Sequence, residues 1–149
     1  MNRSSDRRTS FFDAFLGILA ICGLAAIAGC SGSGNYPVRG KVVDTQGQPV
    51  PGLEGSQIVF TQVEGVSSSV ADIAADGSFD AFTMRPGDGV PPGKYTVHIP
   101  RKMIDPERAA PQVIHGKYEK PETSGLEATV EEKKNELEFK VERASGRGA

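Results

Sequence analysis

Between Lys94 and Pro100 every second residue is apolar. Tyr95, Val97 and Ile99 alternate with Lys94, Thr96 and His98. A two-residue period places the first three on one face of a β-strand and their polar partners on the other, as a half-buried strand requires. The same period closes the chain's ordered part at Glu136 to Glu142. There Leu137, Phe139 and Val141 point one way and Glu136, Glu138, Lys140 and Glu142 the other. The charged outer face also discourages pairing between the edges of neighbouring molecules.

Five further runs carry strand character: Tyr36 to Asp44 with Val38 and Val42 on one face, Gln57 to Val63, Ser69 to Ile73, Phe79 to Met84, and Leu126 to Glu131. Turn signals separate them. Thr45-Gln46-Gly47-Gln48 follows the first, Pro91-Pro92-Gly93 precedes the Tyr95 strand, and Lys133-Lys134-Asn135 precedes the last. Asp76-Gly77 predicts a hairpin, because Gly tolerates the positive φ of such turns. Gly and Pro are spread throughout and no helical period is sustained. Seven short strands in about 110 residues predict an all-β, antiparallel, seven-stranded β-sandwich.

The N-terminus has a different grammar. Arg3, Arg7 and Arg8 precede an apolar run, Ala14 to Ala28, which ends in Ile27-Ala28-Gly29-Cys30. These are the three regions of a signal peptide, forming an N-terminal signal helix. Asp13 and Cys30 bracket only 16 residues, where a membrane-spanning helix wants roughly 20. The small-small-Cys ending looks like a bacterial lipobox. It implies cleavage between Gly29 and Cys30, with a diacylglyceryl group and palmitate-type acyl chains on Cys30. The alternatives are an uncleaved membrane anchor and ordinary signal cleavage elsewhere. Arg7-Arg8 matches a twin-arginine export signal only loosely.

On this reading residues 1–29 are a lipoprotein signal peptide, 30–35 a lipidated tether, 36–142 the sandwich and 143–149 a flexible tail without a role. The tether, Cys30 to Asn35, reaches roughly 13 Å on average. The cysteine count supports this reading. Cys22 leaves with the signal and Cys30 is consumed by lipid, so the mature domain has neither thiol nor disulfide. The signal removes three Arg and two Asp, leaving 14 basic and 17 acidic residues in the 120 that remain. Nothing in this near-neutral balance provides the clustered Lys and Arg of a nucleic-acid footprint.

Three motifs carry a family resemblance. Val38-Arg39-Gly40-Lys41-Val42-Val43-Asp44 followed by Gly47-Gln48-Pro49-Val50, then Asp76-Gly77-Ser78-Phe79, then Pro92-Gly93-Lys94-Tyr95-Thr96-Val97 resemble the carboxypeptidase regulatory-like domains. The resemblance spans residues 36–142 and implies a transthyretin-like or Ig-like seven-stranded sandwich. It implies binding, adhesion or assembly at the cell envelope, and its motifs are turn-and-strand devices that carry no chemistry.

Few residues are arranged for chemistry. His98 is expected as an exposed residue on the outer strand face, and His115 in a loop without partners at metal-like spacing; a zinc site needs three or four ligands. Asp72-x-Ala74-x-Asp76-Gly77 approaches a calcium loop, but Ala74 replaces an oxygen ligand and Thr83 stands where the bidentate Glu belongs. Transthyretin-like hydrolases of a purine-derived ring end in Tyr-Arg-Gly-Ser, whereas this chain ends Ser145-Gly146-Arg147-Gly148-Ala149. No catalytic residue, metal or cofactor is expected.

Arg101 to Gly125 is a long aperiodic segment for a compact domain. Met103, Ile104, Val113, Ile114 and Tyr118 are expected to pack it onto a sheet face, as a crossover loop or as a binding loop. The expectation is a non-enzymatic binding, adhesion or structural module, lipid-anchored to the cell or outer membrane and facing away from the cytoplasm. Its partners would be the membrane, through the anchor, and an envelope protein or polysaccharide. The alternative is a small-ligand or glycan-binding module using this loop or a sheet face.

Overall fold

Each of the seven periodic runs forms a strand in the computed structural model, which describes residues 34–145. The strands are β1 (Val38–Asp44), β2 (Gln57–Gln62), β3 (Ser68–Asp72), β4 (Ser78–Ala81), β5 (Gly93–His98), β8 (Leu126–Val130) and β9 (Asn135–Val141). Two short strands, β6 (Met103–Asp105) and β7 (Arg108–Ala109), arise inside the aperiodic segment, followed by a 3-10 turn (Gly116–Glu119) and a single helical turn (Pro121–Ser124). The signal region, Gly29, Cys30 and the last four residues lie outside the described residues.

The strands sort into a three-stranded sheet, β4-β1-β9, and a four-stranded sheet, β3-β2-β5-β8, with β6-β7 as a separate hairpin. The fold is an all-β sandwich. Alternation works as the sequence predicts: Val38 and Val42 in β1, Phe79 and Ala81 in β4, and Tyr95 and Val97 in β5 are buried. Phe60 of one sheet meets Phe79 and Phe139 of the other at ring-centroid distances of 5.9 and 6.0 Å. Burying aromatic rings between two sheets in this way dominates the energetics of such a core.

Two pairings differ from the expectation. The predicted sandwich is antiparallel, but β1 and β9 run parallel in register from Val38↔Asn135 to Asp44↔Val141. The chain leaves β8 at one end of the sandwich, crosses to the other sheet through residues 131–134, and enters β9 at the end where β1 begins. The two strands must therefore share a direction. The Asp76-Gly77 hairpin differs too. Its turn forms, with Gly77 at φ 80°, a region L-residues with a Cβ rarely adopt. Yet β3 pairs with β2 and β4 with β1. The turn carries the chain from one sheet to the other; its two arms are linked by an isolated bridge, Val70↔Phe82, and a few single hydrogen bonds rather than by a continuous ladder.

These crossings give the molecule two poles. Chain entry at Gly34 to Tyr36 and the loops 63–67, 82–92 and 131–134 occupy one, the near pole. The loop 45–56, the turn 73–77, the segment 99–125 and residues 142–145 occupy the other, the far pole.

Candidate functional site

The far pole is built around the excursion between β5 and β8, residues 99–125, which divides into a plug and a free hairpin. In the plug, Ile114 and Tyr118 are 4% exposed and belong to the core cluster. His115 caps the 3-10 turn: its Nδ1 accepts from Lys117 N at 3.2 Å. Tyr118 O accepts from Ile99 N at 2.8 Å, and Tyr118 Oη accepts from Glu142 N at 3.2 Å. The plug thus ties the end of β5 to the end of β9 and closes the gap between the sheets. The helical turn Pro121–Ser124 continues from it across the outer face of β5.

That cover changes the setting of His98. Expected as exposed, it is half-buried, and its Nδ1 is buried without a hydrogen-bond partner among the described residues. Burial pushes its pKa below the ordinary imidazole value, with Glu122 opposing weakly. The cause is the helical turn, whose single-turn length left no periodicity in the sequence.

The expected tail boundary also shifts. Ile114 and Arg143 form a bridge, His115 N donates to Glu142 O at 2.9 Å and Ala144 N to Val113 O at 3.0 Å. The Arg143 guanidinium donates through Nε and Nη2 to Asp44 Oδ2, at 3.1 and 2.8 Å. The Asp44 side chain is only 7% exposed. Its other oxygen accepts from the backbone N–H groups of Gln46 and Gln48. These bonds, with Gln48 foremost and Arg143 contributing, hold its carboxyl below the usual range against the opposing effect of burial. Arg143 and Ala144 therefore belong to the domain, not to a roleless tail.

Beside the plug lies a small cleft between the turn at Gly52 to Ser56 and residues 99–114, floored by Leu53, Ile99 and Ile114. Its volume is about 20 Å³, room for roughly one water molecule. Glu119 Oε1 stands on its rim and accepts from Arg101 Nη2 at 2.6 Å, Arg101 Nε at 3.0 Å and Gln112 Nε2 at 3.2 Å. A carboxylate so engaged positions the loop rather than acting as a base. Lys117 and Glu142 pair at 2.7 Å, raising the lysine pKa and lowering the glutamate's through their mutual hydrogen bond.

The other half of the segment behaves differently. Met103 and Ile104, expected to pack down, are 55% and 53% exposed on the β6–β7 hairpin. Every residue of β6 is exposed, and the hairpin pairs with neither main sheet. Asp76, from the calcium-like run, accepts from Ser78 N and Ser78 Oγ at 2.9 and 2.6 Å, which closes its own turn. Among the described residues no three His, Cys, Asp or Glu side chains gather into a metal-holding group.

A scan of protein-family models and searches of curated proteins and of solved structures find no match to this chain.

Proposed function

We propose that this chain is a bacterial lipoprotein whose domain resembles the carboxypeptidase regulatory-like sandwiches and acts without catalysis, as a binding or assembly module of the cell envelope. Seven strands divided three and four between two sheets support the Ig-like or transthyretin-like part of this reading. So does the hydroxyl of Tyr95, which donates to Pro91 O at 2.8 Å, four residues upstream. That bond is the geometry of a tyrosine corner. Cys30 would carry the lipid after cleavage behind Gly29, and the near pole, which receives the tether, would face the membrane.

One observation carries the binding role. The excursion between β5 and β8 spends half its length closing the core, while its β6–β7 hairpin holds Met103 and Ile104 out at the far pole. Two adjacent large apolar side chains held outward on one hairpin support a contact with a protein partner in the envelope. A photo-crosslinking residue at Ile104 in the intact lipidated protein tests this in cells. One discrete adduct, lost on Met103→Asp and not formed from Glu127 on the sheet edge, supports the reading. Equal labelling from both positions contradicts it. Binding to an envelope polysaccharide panel that Met103→Asp abolishes, with no protein adduct, would favour the glycan alternative.

A further inference from the structure

The near pole carries the other large exposed apolar side chains. Val63 is 61% exposed, Val66 fully exposed and Met84 81% exposed. They belong to two loops, 63–67 and 82–92, at one end of the sandwich. Val63 N donates to Lys94 O at 2.9 Å and Gln62 N to Ser67 O at 3.0 Å, so the first loop sits over the ends of β2 and β5. The second is held beside it by the Val70↔Phe82 bridge and by a Ser69 Oγ to Thr83 Oγ1 hydrogen bond of 2.9 Å.

The loop bearing Met84 is set from within. Asp88 Oδ1 accepts from Thr83 N at 2.9 Å, and its Oδ2 accepts from Met84 N and Arg85 N at 2.9 and 3.0 Å. These bonds hold the Asp88 carboxyl below its ordinary range. They also fix the backbone of Met84 while its side chain projects outward. The chain enters at the same pole: Tyr36 and Val90 exchange backbone hydrogen bonds of 2.8 and 2.9 Å, joining the entry segment to this loop. Cys30 precedes Tyr36 by six residues.

We infer that the near pole docks onto the lipid surface through Val63, Val66 and Met84, which enter the interfacial layer beside the anchor. The inference rests on the reading of Cys30 as lipidated. A tether of that length reaches roughly 13 Å on average, so the pole cannot stand far from the bilayer. Apolar side chains held there gain by leaving water for the boundary between headgroups and acyl chains. The charges around them nearly cancel, with one acidic residue in excess. The loops of this pole carry Glu64, Asp88, Glu131 and Glu132 against Arg85, Lys133 and Lys134, so headgroup charge contributes little and the apolar tips carry the docking. Docking adds orientation to the anchor: it points the far-pole hairpin away from the membrane.

The test uses the full mature lipoprotein in vesicles of phosphatidylethanolamine and phosphatidylglycerol, with a polarity-sensitive fluorophore on Val66→Cys or, separately, on Ile104→Cys. Val66 is exposed on a loop and Ile104 on the β6–β7 hairpin, which pairs with neither main sheet, so the fold tolerates the label. The expected result is blue-shifted emission from position 66, quenched severalfold more by brominated acyl chains than emission from position 104, with Met84→Asp reducing the difference. If the protein floats with the vesicles but both labels report water, docking is wrong and the anchor stands. If the protein fails to float, the anchor reading falls and docking with it. Emission from position 66 that is shielded but unquenched, with energy transfer between labelled copies, would assign the surface to a second copy and overturn the inference.

Discussion

Gly40 is decided by space. A Cβ there would run into the Leu137 carbonyl oxygen and stand 2.6 Å from Phe79 Cζ, because β1 is flanked on both sides and faces the aromatic cluster. Gly40→Ala is expected to cost about 2 kcal/mol through overpacking, read as a lowered denaturant midpoint at unchanged slope. His98 gives a pH signature. It is neutral in the fold, while the unfolded chain takes up a proton near pH 6.5. The unfolded state therefore binds more protons as pH falls from that value towards the depressed folded pKa, and stability declines across that window. His98→Gln should flatten the decline. The carboxylates of Asp44, Asp76 and Asp88 lie below their usual range. Their contribution is present above about pH 4 and disappears as acid takes them through their folded values, so a second loss of stability belongs there. Asp44→Asn should reduce it, measured by denaturation at stepped pH. These roles were unevenly legible. Asp44 stands before a turn in the sequence, but nothing there shows an arginine 99 positions away.

Strands were the readable elements. Where one face is buried and the other wet, the two-residue period is forced by geometry, and β5 and β9 carry it almost without exception. Strand partnership was not readable, because pairing is set by distant segments: the Asp76-Gly77 turn looks the same whether its arms pair with each other or part to separate sheets. The excursion at 101–125 shows the same limit. Its apolar residues signalled packing, and Ile114 and Tyr118 do pack, but nothing in their spacing separates them from Met103 and Ile104. The two halves should respond differently to mutation. Tyr118→Ala is expected to destabilise the domain by about 3 to 4 kcal/mol, as loss of a buried aromatic does. Replacing residues 103–109 by a short Gly/Ser link should leave the unfolding midpoint nearly unchanged, because the hairpin pairs with neither main sheet. Differential scanning calorimetry on the two variants distinguishes a plug from a free hairpin.

At the scale of the whole molecule, the fold assigns different surfaces to its two ends. Entry of the chain and the tips Val63, Val66 and Met84 share the near pole; the plug, the small cleft and the β6–β7 hairpin share the far one. On the proposed reading, a lipid on Cys30 turns that geometric polarity into a biological one, with membrane on one side and partner on the other. The sandwich holds the two surfaces apart, and with no cysteine among residues 34–145 its stability comes from packing and hydrogen bonding without a disulfide. The membrane assignment and the envelope setting of the partner both depend on how the N-terminus is processed. The most direct measurement is therefore the intact mass of the protein extracted from its native membrane. The account predicts a chain lacking Met1 to Gly29 whose first residue, Cys30, carries the added mass of a diacylglyceryl group and its acyl chains. A mass that includes Met1 to Gly29, or a processed chain with an unmodified Cys30, would contradict it.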